Sequence, residues 1–370
     1  MTLAASPPPL AWYGSSFAYY DDEPEPGPPT DADRDAAAAR ARAERTAGFT
    51  PERFGPRPGG AERTAVVPGR FMPVHDGHRY LIEFASAHAG EVYIFVRVTP
   101  DDPVPWPVRQ AWLTELFPRA HVAAIEDTPG LGMNEGRWTE RILSEVHPDY
   151  VFAGENWAYA LAGRLRARYV GVDRDIIPVS GTQIRADPWA YERYLPPPVR
   201  AWYTKRVCLI GPESSGKTTL ARRLAAHYGT VWVPERLRSI PVGFPVQPVD
   251  VAWAAFGQQA AEDLLARRAS RALICDTDIL SARLWSDRLF GAAPQWLLDA
   301  AERPTADLYL LTSPDVPFVG PNISNQPSQR REFYHACRRE LDRLSQPYFT
   351  LEGDQEQYFA AAVEAVDILL

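Results

Sequence analysis

Lysine is nearly absent: Lys and Arg together number 39, yet only Lys205 and Lys217 are lysines. A chain that meets almost every need for positive charge with arginine keeps a lysine where a compact point charge is wanted and a planar fork does not fit. Cysteine is scarce as well. Cys208, Cys275 and Cys337 lie far apart, the first two inside apolar runs. That excludes a disulfide framework and a cysteine metal site, and reads as small core residues in a reducing compartment. No apolar run approaches the roughly 18 residues of a membrane span. The N-terminus has neither the basic start nor the apolar stretch of a secretory signal. A cytoplasmic protein with no membrane partner is expected. The net charge of −8 leaves no basic face for a phosphate backbone, so nucleic acid is not an expected partner.

What is present fills more than one core. With 370 residues and 45% hydrophobic content, two domains are the prior. The second lysine marks the most informative stretch. Val207-Cys208-Leu209-Ile210 reads as a strand, Gly211-Pro212-Glu213-Ser214-Ser215-Gly216-Lys217-Thr218 as a glycine loop, and Thr219 to Ala226 as a helix. Strand, loop and helix form the context that a G-x-x-x-x-G-K-[ST] phosphate loop requires. There, backbone N–H groups of Gly211, Ser214, Ser215, Gly216 and Thr219 would face a nucleotide's phosphates. Lys217 would reach the β/γ oxygens and Thr218 would help hold Mg²⁺. ATP is the implied co-substrate.

In chain order, residues 1–63 are acidic and proline-rich and read as a largely disordered tail. Its aromatics, Trp12, Tyr13, Phe17, Tyr19 and Tyr20, are weighed as a docking segment against a tail that touches little. From Thr64 on, short apolar runs alternate with helix-period stretches: strands near 91–96, 121–125, 150–153 and 169–172, helices near 77–89, 108–117, 137–146 and 157–168. Strands apolar on both faces between helices imply an α/β fold with a parallel sheet, whose ligands bind at the strands' carboxyl ends. Gly154-Glu155 and Asp173-Arg174 occupy such ends.

Two stretches in this region carry chemistry. Gly69-Arg70-Phe71-Met72-Pro73-Val74-His75-Asp76-Gly77-His78 follows the first strand, with Gly77 permitting a tight turn and His78 in the first turn of the next helix. Two imidazoles there can donate to a triphosphate whose charge shifts as a bond breaks. The second stretch is Val179-Ser180-Gly181-Thr182-Gln183-Ile184-Arg185. Ser180 and Thr182 sit at a helix start, where they can also serve as simple caps. Arg185 follows one turn later as a fixed cation.

The first stretch resembles the G-[RK]-F-x-P-x-H-x-G-H loop of the nucleotidyltransferase superfamily, and the second its [IV]-S-x-T-x-[IL]-R loop. With a phosphate loop following, the order resembles the NadR-type family, in which a nicotinamide-nucleotide adenylyltransferase is joined to a ribosylnicotinamide kinase. The resemblance implies a Rossmann-like nucleotidyltransferase domain over 64–195, a linker over 196–205 and a P-loop kinase domain over 206–370. Its substrates would be ATP, nicotinamide mononucleotide and ribosylnicotinamide. Gly69, Arg70, Phe71, His75, Gly77, His78, Ser180, Thr182 and Arg185 match positions that hold ATP in the transferase, and Arg109 matches another substrate contact. Trp138 matches a segment facing the nicotinamide ring, with ordinary core as the alternative reading. Pro196-Pro197-Pro198 would stiffen the linker.

In the second domain Val231-Trp232-Val233-Pro234-Glu235-Arg236-Leu237-Arg238 and Ala272-Leu273-Ile274-Cys275-Asp276-Thr277-Asp278 each end a strand with acids. Glu235, Asp276 and Asp278 compete for two tasks: a metal ligand and a base for the 5′-hydroxyl. The resemblance favours Asp276-Thr277-Asp278 as the D-T-D element and Glu235 with Arg238 as the E-x-x-R element, with Asp276 first for metal or base. One departure stands out. The family's Asp-Asp-Gly-x-Arg segment is replaced by Phe318-Val319-Gly320-Pro321-Asn322-Ile323-Ser324, leaving Arg330 and Arg331 as lid candidates. Two alternatives follow: a kinase-like domain that only senses nucleotides, and a coenzyme A synthase-like transferase–kinase fusion, whose loop would more typically read G-x-F-D. A repressor helix-turn-helix is not expected in residues 1–63. Assembly into a homo-oligomer is left open.

Overall fold

The computed structural model describes residues 62–127, 134–239, 246–314 and 327–370. The N-terminal tail and the Phe318 to Ser324 departure lie outside the described residues. By its contacts the chain divides into two compact units. One takes in the described residues up to Gly69, Tyr80–Asp101 and Phe117–Pro178; the other takes in Arg70–Arg79, Asp102–Leu116 and Val179–Leu370.

The first unit is built on five parallel strands, β1 (Thr64–Gly69), β2 (Glu91–Val98), β3 (His121–Glu126), β4 (Tyr150–Ala153) and β5 (Arg168–Gly171), in the order β3-β2-β1-β4-β5. The chain leaves β1 in one direction for β2 and β3, then returns to its other side for β4. That reversal makes a crevice beyond the carboxyl ends of β1 and β4. Of the helices that connect these strands in the chain, α3 (Glu135–Leu143) and α4 (Trp157–Arg164) belong to this unit, α1 (Asp76–His88) is divided between the two units and α2 (Trp106–Leu116) is counted with the other. Asn134 caps α3 by accepting from Arg137 N at 3.1 Å, the role its short polar side chain suits. The core of this unit joins Val66, Phe95, Ile125, Trp138, Ile142, Val151 and Leu161. Ala65, Val66 and Val67 are buried on consecutive positions, as a sheet covered on both faces demands.

The second unit carries β6 (Lys205–Ile210), β7 (Trp232–Val233), β8 (Ala272–Asp276), β9 (Leu308–Thr312) and β10 (Tyr348–Leu351), all parallel, in the order β10-β9-β6-β8-β7. Before it come α5 (Gly181–Ala186) and α6 (Pro197–Tyr203); between and after its strands run α7 (Lys217–His227), α8 (Pro248–Ala266), α9 (Ile279–Phe290), α10 (Gln295–Ala301), α11 (Pro327–Arg343) and α12 (Gln355–Leu369). One face of this sheet packs Val207, Leu209, Leu224, Ile274, Leu310 and Val366, the other Cys208, Ile210, Leu273, Cys275, Leu311 and Leu341. All three cysteines are free and buried, as their apolar settings implied. The proline run expected to stiffen a linker instead opens a helix: Pro197 and Pro198 occupy the first positions of α6. A helix tolerates proline there because its first N–H groups have no intrahelical acceptor. Among the described residues no helix is long and apolar enough to cross a membrane.

Candidate active sites

The loop after β1 is held from beneath. Arg109, fully buried on α2, donates to the Arg70 carbonyl at 2.8 Å and to Asp102 Oδ2 at 2.6 Å, while Arg70 Nη2 reaches Asp102 Oδ1 at 2.9 Å. One carboxylate thus receives two guanidinium groups, a strong charge-assisted arrangement. Arg109, expected at the substrate, is placed as an anchor of the loop, and burial pulls its pKa down against the opposing pull of Asp102. Asp102 was not singled out in the sequence. Nothing in the Asp101-Asp102 pair marks one from the other, and only the fold shows which acid turns inward.

Within the loop, Phe71 takes a left-handed φ of 49°, rare for a bulky residue and a mark of a fixed conformation. The rings of His75 and His78 stack with centroids 3.7 Å apart, and Phe71 lies tilted against His78 at 4.8 Å. Arg185 arrives from 113 positions along the chain, donating to the Met72 carbonyl and to Thr182 Oγ1 at 3.2 Å. At Gly181 a Cβ would stand 3.1 Å from the Met72 carbonyl carbon, so glycine permits the contact of the two stretches. Ser180 caps α5 in a reciprocal capping box with Gln183. The structure therefore gathers Arg70, Phe71, His75, His78, Ser180, Thr182 and Arg185 into one neighbourhood. Gly69 ends β1, and Gly77 lies in the first turn of α1.

Trp138 resolves to one of its two readings. It is 1% exposed within the first unit's core, edge-on to Trp157 at 6.1 Å. Trp157 itself is half-buried at the start of α4, where its indole N–H donates to Glu155. Arg174 Nη1 meets the other oxygen of Glu155 at 2.8 Å, so the two strand-end pairs noted in the sequence do come together.

The phosphate loop has the form its sequence required. Gly211 has φ 144° and Gly216 has φ 84°; a Cβ on Gly211 would stand 2.7 Å from the Thr312 carbonyl oxygen. Ser214 is left-handed, with φ 57°. Ser215 Oγ lies 2.8 Å from the Pro212 carbonyl and 2.6 Å from Thr312 Oγ1, so the end of β9 braces the loop. Lys217 is buried and folds over its own loop, donating to Gly211 O at 3.0 Å and Pro212 O at 2.7 Å. Thr219 follows it in the first turn of α7.

At the end of β8, Thr218 Oγ1 meets Asp276 Oδ2 at 2.5 Å. Asp276 Oδ1 is buried with no hydrogen-bond partner among the described residues. Burial first, then the charge of Glu235, raises the Asp276 pKa, opposed by Thr218, Lys217 and Arg238. A carboxylate oxygen left unpartnered beside a threonine hydroxyl is an all-oxygen donor set suited to a hard divalent cation. Glu235 and Arg238 form an ion pair at 2.6 Å, with Glu235 largely covered and Arg238 half-exposed. Asp278 is placed otherwise: it caps α9 through Ser281 N at 3.0 Å and receives the Tyr309 hydroxyl. Burial raises its pKa. Both of these contacts are structural. Arg330 is half-buried and Arg331 exposed at the start of α11.

Fold and loops define a class: two parallel α/β sheets, one bearing a nucleotidyltransferase-type loop at β1 and the other a P-loop of the kinase type. Residues 206–357 match the family model described as the AAA domain. The chain is 26% identical to the trifunctional NAD biosynthesis/regulator protein NadR of Escherichia coli (strain K12) over 337 residues, 81% of this chain and 82% of that one. A solved NadR protein in complex with NAD and AMP-PNP superposes with TM-score 0.65 at 22% identity, covering 83% of this chain and 96% of that one. A NadR protein in complex with NR gives TM-score 0.64 at 22% identity over the same shares. The chain is similar in sequence to the NadR proteins, in line with the resemblance of its three motifs, and it shares their fold.

Proposed function

We propose that this chain makes NAD in two steps. A kinase region, 206–370, phosphorylates ribosylnicotinamide with ATP, and a nucleotidyltransferase region, 64–195, joins the resulting mononucleotide to the adenylyl group of ATP. The observation that carries the reading is the convergence of two distant stretches, His75 to His78 and Ser180 to Arg185, tied by Arg185 at Met72. The Escherichia coli relative is named for NAD biosynthesis. The cytoplasm is the proposed setting, with small molecules as the partners.

In adenylyl transfer the mononucleotide's phosphate is already a nucleophile, so no strong base or covalent intermediate is required. Rate comes from alignment and from neutralising charge at the α-phosphorus and the departing pyrophosphate. The stacked imidazoles of His75 and His78 and the guanidinium of Arg185 supply fixed donors, and the Asp102 clamp keeps their loop from yielding. In the kinase, Lys217 has only to exchange two loop carbonyls for phosphate oxygens. Asp276 takes up the 5′-hydroxyl's proton or holds the metal, and Glu235 stands by for the other task. Mg²⁺ would be held by Thr218 and Asp276 and would supply charge neutralisation at the phosphates. Arg330 and Arg331 are the proposed lid cations.

Two coupled assays with Mg-ATP test the reading, one fed nicotinamide mononucleotide and the other ribosylnicotinamide. NAD from both is the expected result. NAD from the mononucleotide alone would leave the first site intact and recast the phosphate-loop region as a nucleotide sensor.

A further inference from the structure

Between the two acid-bearing strand ends of the kinase region lies a side chain no motif marks. Gln258, on α8, is 3% exposed. Its Oε1 accepts from the Arg236 backbone N–H at 3.2 Å; its Nε2 donates to the Thr277 carbonyl at 3.1 Å and to Glu262 Oε1 at 3.2 Å. A backbone N–H can only donate and a backbone carbonyl can only accept. The two fixed groups therefore dictate which way the amide faces, and a group with both functions is required between them. A carboxylate would confront the Thr277 carbonyl with a second acceptor, and an aliphatic chain would leave both backbone groups without this partner.

What the amide spans is the active-site geometry. Arg236 lies between Glu235 and Arg238, and Thr277 lies between Asp276 and Asp278. Thr277 adopts φ 77°, a left-handed conformation costly for a β-branched residue and kept only where its surroundings impose it. Its N–H is held by Leu209 O at 3.2 Å and its carbonyl by Gln258. That twist separates the two acids: Asp276 faces Thr218, while Asp278 turns to cap α9.

We infer that Gln258 is a positioning residue for phosphoryl transfer, coupling the Glu235–Arg238 segment to the Asp276-Thr277-Asp278 turn so that Glu235 and Asp276 stand in register at the phosphate loop. The inference rests on the kinase reading proposed above. It adds that the two carboxylates work as a pair whose spacing one amide sets. Misplacement of reacting groups by about 1 Å costs on the order of 100-fold in rate, and among the described residues no hydrogen bond of Gln258 reaches the nucleotide loop or the side chain of Glu235 or Asp276.

The test uses the full chain with Gln258→Leu and Gln258→Glu, each assayed for ribosylnicotinamide phosphorylation and for adenylyl transfer, with melting temperature recorded. For Gln258→Leu, kcat of phosphorylation is expected to fall about 10- to 100-fold, with KM for ATP moving less than about twofold and adenylyl transfer unchanged. Gln258→Glu, which keeps the acceptor for Arg236 N–H, is expected to stay folded and show the same split, a lower kcat with little change in KM. Wild-type kcat in both variants, or a fall in both activities in proportion to lost folded protein, would overturn the inference. Wild-type chain that makes NAD from the mononucleotide but never phosphorylates ribosylnicotinamide would overturn the kinase reading and this inference with it.

Discussion

The two loops proposed to handle phosphate are built on opposite plans. The loop at 211–218 is one contiguous stretch whose shape is written in its own glycines and whose lysine rests on its own carbonyls. The loop at 69–78 is half a site. Its other half begins at Ser180, and the two meet only where Gly181 lets α5 approach Met72 and Arg185 closes the gap. The contiguous loop concentrates function in local backbone geometry; the split one spreads it over tertiary contacts, with Asp102 and Arg109 beneath as ballast. A change in the first should stay confined, whereas the second should be sensitive to residues far from the chemistry.

The sharpest break between the two is a pair of truncations. Lys217→Ala is expected to lower ribosylnicotinamide phosphorylation by at least about 1,000-fold and leave adenylyl transfer intact, and His78→Ala to do the reverse by about 100-fold or more. Steady-state assays of both activities on each variant check this; parallel loss in either variant would show the sites are not independent. Next come the glycines. Gly211→Ala meets both a forbidden φ and the Thr312 carbonyl and should reduce the kinase about 100-fold, while Gly181→Ala meets the Met72 carbonyl and Arg185 Nη1 without a forbidden φ and should reduce adenylyl transfer about tenfold.

Stability should differ as well. Asp102→Ala removes the carboxylate from a fully buried guanidinium and is expected to cost about 3 kcal/mol, read by denaturant unfolding. In the second unit, burial and then Asp278 push Glu262 up to about 8 from an ordinary 4.5. The folded chain keeps that proton up to about pH 8, whereas the unfolded chain releases it near 4.5. The folded state thus binds more protons across that window, and stability falls as pH rises through it. Glu262→Gln should flatten the decline, by on the order of 2–4 kcal/mol at the alkaline end. A melting profile equally steep in the variant would assign the decline to other groups. The smallest effect is expected at Trp138→Phe: about 1–2 kcal/mol of core stability with KM for the mononucleotide unchanged. A raised KM would return Trp138 to the ligand.

Much of this was legible because it is local. Strands near 91–96, 121–125 and 150–153 stand in the structure at Glu91–Val98, His121–Glu126 and Tyr150–Ala153; β2 and β4 are legible because a parallel strand covered on both faces must be apolar at nearly every position, whereas β3 lies at the sheet edge with only Ile125 buried. The last helix, Gln355–Leu369, is likewise started locally, by an Asp354 capping box. The phosphate loop was readable to the residue, because its function is its backbone path and only certain residues can take it. Helix ends were less exact: the stretch 157–168 stops as a helix at Arg164, because capping and packing, not periodicity, end a helix.

Sequence by itself determined the two α/β cores, the order of the three motifs and the chemistry those motifs can perform, because each depends on residues close in the chain. Tertiary structure alone decided what each acid meets. Asp102 and not Asp101 takes both guanidinium groups, Asp278 is spent on capping α9 and binding Tyr309, and Asp276 keeps an oxygen unpartnered among the described residues. It also set Trp138 in the core and Gln258 between Arg236 and Thr277. A side chain's role follows from what lies opposite it when the chain closes, and neither composition nor spacing records the partner.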